Sequence, residues 1–350
     1  MDNQTQSELQ TEMSTTMQPF NLTLTSNSPP PSFTYDTIAA NDLISRANYV
    51  YGFCALLGLA SACFLLFGFV QSYRACRGLV WLDTLLWAFS GFQLLLLLLS
   101  LSSVAHRPNY LETTELGCAA LAFMVNLASL CGLFLLVLMG YTLTYDPPTH
   151  TLMKRPGVCV GLVVLISFLC CLVLARLRNS TLITDRTNKC IIDPTKAGSY
   201  YAIAKLCLGV LIPFIILLGL LIGSCIRQWK SRSRFLSGSE NGPVFLAVAA
   251  VLFVCQLFHC TALVRGARMN QTAELSPYEK AFMDLVEFVM FSGSCVCLVL
   301  VLLLHRPSRE SLLEVMRRIG SCCRGLGGRQ THRHIMAPQI EIADTQSYDF

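Results

Sequence analysis

The stretch that decides the fold is CAALAFMVNLASLCGLFLLVLMGYTLTYD, residues 118–146, an apolar run entered at Cys118 and left where Asp146 meets Pro147 and Pro148. A hydrocarbon core of about 30 Å is crossed by about 20 helical residues. This run exceeds that length by a turn or more, so it reads as one membrane-spanning helix tilted between neighbours. Its polar members Asn126, Ser129, Thr142 and Thr144 have no water to turn to and need partners inside a bundle. They serve first as helix-to-helix glue, with a ligand role as the alternative.

The rest of the chain repeats the pattern. Of 350 residues 53% are hydrophobic and only 13% charged, against about 25% charged in soluble proteins. Further apolar runs lie near 47–71, 79–103, 157–175, 201–226, 243–264 and 281–304. Runs of this length satisfy their backbone as helices, which excludes a β-barrel. The expectation is an all-α membrane protein: a seven-transmembrane helix bundle with a short amphipathic cytoplasmic helix. The segments follow: residues 1–45 a disordered, glycosylated extracellular N-terminus, 46–305 the bundle, 306–323 the amphipathic helix and palmitoylation site, and 324–350 a cytoplasmic tail.

Seven spans put the termini on opposite sides. Lys and Arg exceed acids in the loops after spans one, three and five and in the tail, which makes that side cytoplasmic. The sequons at Asn3, Asn21, Asn179 and Asn270 all fall on the other side. Cys118 and Cys190 are the two cysteines of the outer segments, and two thiols in an oxidising compartment are expected to bond to each other. No basic and apolar leader opens the chain, so span one is expected to act as its own insertion signal.

In chain order, residues 1–45 are rich in Ser, Thr, Asn, Gln and Pro. Asp83, near the inner end of span two, is expected to snorkel or to pair with Arg74 or Arg77, and Gln93, deeper in, to hydrogen-bond a neighbouring helix. Gly161 and Ser167 permit close packing of span four. Pro213 removes a helix hydrogen bond from span five and predicts a kink or bulge. Lys205 snorkels or faces a cavity. Arg227, Lys230, Arg232 and Arg234 form a basic inner rim suited to acidic lipid or an acidic protein.

Gln256 and His259 share a face of span six, and Asp284 and Glu287 share one of span seven. Ionisable groups at similar depth on adjacent helices are costly unless they face a wet cavity or each other. They make either a ligand pocket or an internal polar clasp. A lone histidine with two carboxylates lacks the spacing of a metal site, and no cofactor or nucleic-acid motif stands elsewhere. After His305, the segment SRESLLEVMRRIGSCCR sets Leu312, Leu313, Met316 and Ile319 on one side of a helix and Arg309, Glu314, Arg317 and Arg318 on the other. It is expected to lie on membrane lipid, with Cys322 and Cys323 as palmitoylation sites.

This order of features resembles a rhodopsin-like G-protein-coupled receptor over nearly the whole chain. Phe253-Val254-Cys255-Gln256-Leu257-Phe258-His259 is similar to the family's sixth-helix Phe-x-Cys-Trp-x-Pro, with Gln256 and Phe258 replacing its tryptophan and proline. Ser294-Cys295-Val296-Cys297-Leu298-Val299-Leu300-Val301 resembles the seventh-helix region, with Cys297, Leu298 and Val301 replacing the marked residues of Asn-Pro-x-x-Tyr. Counting inward from Cys118, Thr142-Leu143-Thr144 occupies the place of Asp-Arg-Tyr. The sodium-binding aspartate of the second helix falls near Ser90 or Gly91, and the fourth-helix tryptophan is missing.

The resemblance implies a non-enzymatic receptor of the plasma membrane that binds an extracellular ligand among Asn126, Gln256, His259, Asp284 and Glu287 and meets a G protein or arrestin inside. An apolar Leu143 makes none of the charge-assisted contacts of the family's switch, so signalling is expected to use a non-standard one. The alternative is a decoy or scavenger that binds without signalling. Glu287 stands where chemoattractant-cytokine receptors carry an acid for a basic ligand, while the extra cysteine pair of those receptors is absent.

Overall fold

A computed structural model of the chain describes residues 32–76, 81–104, 111–112, 114–144, 155–178, 189–190, 198–231, 242–269 and 276–327. Seven helical segments are long and apolar enough to cross a membrane: Asp36–Arg74, Trp81–Val104, Leu116–Thr144, Pro156–Arg178, Ser199–Ile226, Gly242–Met269 and Pro277–Leu304. The chain is a multi-pass membrane protein built as an all-α bundle of seven such helices.

The first helix, α1 (Ser32–Cys76), begins inside the stretch expected to be unstructured. The reason is a continuous stripe at helical spacing: Ala40, Ile44, Tyr51, Ala55, Ala62, Leu65 and Phe69 are all buried. Its first members sit among polar neighbours, where composition hides them. Asp42 and Arg46 add an i,i+4 ion pair of 2.8 Å on the exposed face.

Next come α2 (Trp81–Val104), strand β1 (Leu111–Glu112), α3 (Glu115–Thr144), α4 (Pro156–Arg178) and strand β2 (Lys189–Cys190). Strands β1 and β2 pair antiparallel, with Leu111 opposite Cys190. The fifth span is α5 (Ser199–Leu206), a π-helical turn over Cys207–Leu211, and α6 (Ile212–Ser231). The expected disturbance by Pro213 takes this form. Proline offers no N–H, and just ahead of it the ladder widens, with Ile212 N–H reaching the Cys207 carbonyl.

Helices α7 (Gly242–Met269) and α8 (Pro277–Leu304) complete the spans, and α9 (Arg306–Gly327) follows. Ser276 caps α8: its hydroxyl accepts from the Glu279 N–H at 3.3 Å, while Glu279 Oε2 accepts from the Ser276 N–H at 2.9 Å. α9 runs past Cys322 and Cys323, tied along its charged side by Arg318–Glu314 at 2.5 Å and Arg306–Glu310 at 3.3 Å. Leu313, Val315 and Met316 are exposed on it.

The helices close a ring. α1 packs on α2 and α8, α2 on α3, α7 on α8, and α3 reaches α4, α6 and α7. α8 has the most enclosed apolar window, 67% buried, whereas α4 and the fifth span reach 28% and 22%. Their bare Leu162, Leu165, Leu169, Ile215, Ile216 and Ile222 face hydrocarbon. Gly161 is among these exposed positions and has no atom near its missing Cβ, so it permits no close packing. Ser167 is fully buried, as a packing residue requires.

Close approach is used at α7 and α8, where a Cβ on Gly293 would lie 2.9 Å from Cys255 Sγ and 3.0 Å from its Cβ. Gly293→Ala therefore overpacks this seam and is expected to lower stability by about 1–3 kcal/mol. Gly161→Ala changes it little. Thermal denaturation of both variants in one detergent checks the difference.

Candidate functional site

The bundle has two ends, one marked by the paired strands β1 and β2 and one by α9. Polar side chains inside it gather toward the β1–β2 end and the middle. On α3, Asn126 and Ser129 are one turn apart and both buried. Asn126 Nδ2 donates to Tyr201 Oη at 3.1 Å, tying α3 to α5. Gln256 Nε2 donates to Ser129 Oγ at 2.8 Å, tying α3 to α7. Lys205 lies over the Tyr201 ring, its Nζ 5.9 Å from the centroid, in cation–π range.

One turn along α7 from Gln256, His259 is 1% exposed, and across the seam Glu287 and Asp284 of α8 are 1% and 9% exposed. These values place all three inside the bundle rather than on its lipid face. None of the three is without a partner. Glu287 lies within electrostatic range of Tyr51. The Tyr51 ring stacks on Phe288, centroids 5.9 Å apart and planes at 13°, and its hydroxyl is bonded to Ser100. Thus α1, α2 and α8 meet at one tyrosine beside a buried carboxylate. Among the described residues no three of His, Cys, Asp and Glu are grouped to hold a metal ion.

The α9 end is built differently. Leu143, Met139 and Leu136 of α3 line a void of only about 10 Å³ with Leu82 and Leu86 of α2 and Val244, Phe245 and Val248 of α7. Leu143 is thereby a packed apolar contact. Thr142 and Thr144, expected to seek partners across the bundle, donate to carbonyls of their own helix, Met139 and Gly140, each at 2.8 Å. Cys297, Leu298 and Val301 are fully buried on α8, and the Cys297 thiol points at the Val248 carbonyl of α7 at 3.8 Å.

Asp83 has a partner that the expectation did not name, and Arg77, one of the two named, lies outside the described residues. The Asp83 Oδ1 lies 3.4 Å from His305 Nε2. His305 sits at the corner between α8 and α9, buried, with Nδ1 2.8 Å from Ser308 Oγ and its ring 5.6 Å from that of Phe69. One imidazole gathers α1, α2, α8 and α9. Gln93 also departs from expectation. Its amide is fully buried, and neither amide atom has a hydrogen-bond partner among the described residues.

Cys118 is disulfide-bonded. The backbone of Cys190 lies in the strand paired with β1, which leads into α3, while its side chain falls outside the described residues. Asn3, Asn21, Asn179 and Asn270 lie outside them too, as do the side chains of Cys322 and Cys323. Sequence reasoning passed over Tyr201 and His305. Tyr201 follows Tyr200, and only helix phase separates the buried ring from the exposed one. His305 reads as a span boundary until the corner folds it onto α2. No family model matches the chain, and none of the curated proteins matches it.

Tyr201→Phe strips Asn126 of its acceptor while keeping the ring. A double-mutant cycle with Asn126→Leu, read by thermal denaturation in detergent, is expected to give a coupling of about 0.5–2 kcal/mol. A value near zero means that the two side chains do not stabilise each other.

Proposed function

We propose that the chain is a divergent rhodopsin-like G-protein-coupled receptor of the plasma membrane, with its N-terminus outside, that binds an extracellular ligand and signals by a non-standard switch. The observation that carries the reading is the double use of α3. Toward the β1–β2 end it is hydrogen-bonded to α5 and α7 through Asn126 and Ser129, and at the α9 end it is sealed to α2 and α7 through Leu143. A ligand that re-pairs the first set shifts α7 against α3, and the apolar seal at the far end then opens or closes. Coupling through an element with two packings is how such bundles switch.

The same assignment gives each remaining site a role. His259, Asp284 and Glu287 recognise the ligand with Asn126 and Gln256. Cys118 bonds Cys190 across the outer face. Asn3, Asn21, Asn179 and Asn270 carry glycans, and Cys322 and Cys323 carry palmitate that holds α9 on the membrane. The opened α9 end is where a G protein or arrestin docks. The sealed Leu143 also favours a second reading, a decoy or scavenger that binds and never opens.

The test is signalling by the intact chain in cells across a panel of G proteins and arrestins. A basal signal that Glu287→Gln or His259→Ala changes by about threefold or more supports the receptor. A silent wild type, with signal only after Leu143→Arg and Thr142→Asp, overturns the switch and supports the decoy. Surface detection of an N-terminal tag without permeabilisation checks the orientation in the same cells, and Cys118→Ser is expected to reduce that surface signal.

A further inference from the structure

At the β1–β2 end, α7 and α8 border a cavity of about 210 Å³ lined by Ala262, Arg265, Gly266, Tyr278, Phe282 and Met283. Helix phase explains its make-up. Phe258, Ala262, Arg265 and Met269 form one stripe of α7, and Tyr278 and Phe282 with Met283 face them from α8. The floor is buried at Ala262 and Gly266, whereas Tyr278 and Phe282 are 48% and 41% exposed. Below it the rings of Phe258 and Phe282 meet edge to face at 6.4 Å on the lipid-facing surface. The cavity thus opens sideways, from the last turn of the spans toward the bilayer.

We infer that this crevice binds a single-chain anionic amphiphile of the long-chain carboxylate class, its head on the Arg265 guanidinium and its chain leaving over Phe282 and Phe258. Four observations select that chemistry. Pockets that enclose a drug-sized ligand are about 300–1,000 Å³, so 210 Å³ suits a molecule whose remaining surface is covered by something else. At a lipid-facing opening the bilayer supplies that cover. Arg265 is exposed and makes no ion pair among the described residues. Glu279, the one acid among the described residues of the rim, has Oε2 committed to the Ser276 N–H at the start of α8, where the helix N-terminus offsets its charge. Met269 and Met283 give a wall that adapts to a flexible chain. The inference needs only the membrane bundle and is independent of any coupling to a transducer.

The test uses the full chain in nanodiscs of neutral phosphatidylcholine, with radiolabelled oleate as probe and methyl oleate as the uncharged competitor. Saturable oleate binding is expected in the wild type, about tenfold weaker in Arg265→Gln, kept in Arg265→Lys, and not displaced by methyl oleate. Arg265 is on the surface, so Arg265→Gln retains the fold, and its unchanged thermal denaturation verifies that. Absence of saturable binding, equal binding by Arg265→Gln, or full displacement by methyl oleate each overturns the proposal. Because no transducer takes part, a chain silent in signalling still yields a result here.

Discussion

A polar side chain carried into hydrocarbon has to find its partner on another helix or on its own backbone, since lipid offers none. That constraint orders the whole bundle. Ser90, Ser103 and Thr142 return their hydroxyls to carbonyls of their own helices, whereas Ser100 bonds the Leu97 carbonyl of its own helix and also Tyr51 of α1. Asn126, Gln256 and Asp83 have side chains whose contacts lie on other elements, and those contacts fix neighbours: Tyr201, Ser129 and His305. Each interhelical hydrogen bond is worth only about 0.6–2 kcal/mol. Their effect is to choose which helix faces which, while the buried Leu, Phe and Ala side chains supply the bulk of the packing.

The two clusters of partners divide the labour along the bundle axis. Toward the β1–β2 end the joins are polar and involve α3, α5 and α7, with buried acids on α8. At the α9 end the join among α2, α3 and α7 is apolar, and the polar element has moved outward to the corner where His305 holds Asp83. An apolar seal is non-directional and tolerates sliding, whereas a hydrogen-bonded corner does not. The arrangement therefore leaves the α3–α7 join at this end free to slide, while α8 is tied to α2 and α9 at the corner.

Much of this was legible in the residues alone, because lengths of apolar sequence are set by bilayer thickness and all seven spans lie where runs of that length lie. The burial of Gln256, His259, Asp284 and Glu287 was legible for the same reason: a charged or amide group in a span faces inward. Partner identity was not. Asp83 has two arginines nearby in sequence, yet the chain turn after α8 delivers a histidine more than two hundred positions away. Nor was the start of α1, since Ala40 and Ile44 carry the stripe through a polar segment that composition reads as tail. Helix phase and chain reversal decide these cases, and neither is written locally.

Gln93 marks the limit of the constraint. Its amide is wholly buried with no hydrogen-bond partner among the described residues, a state that costs about 1–3 kcal/mol. The space it occupies exists because α3 has Gly132 there: a Cβ at that position would lie 2.5 Å from Gln93 Nε2. A leucine of nearly the same volume would fill that space at no such cost. The α2–α3 seam thus holds a destabilised contact a few turns from the apolar seal at Leu143, and it adjoins the helix that joins both ends of the bundle. Proteins retain such weak points where packing has to change, because a seam already short of its best energy needs less to rearrange.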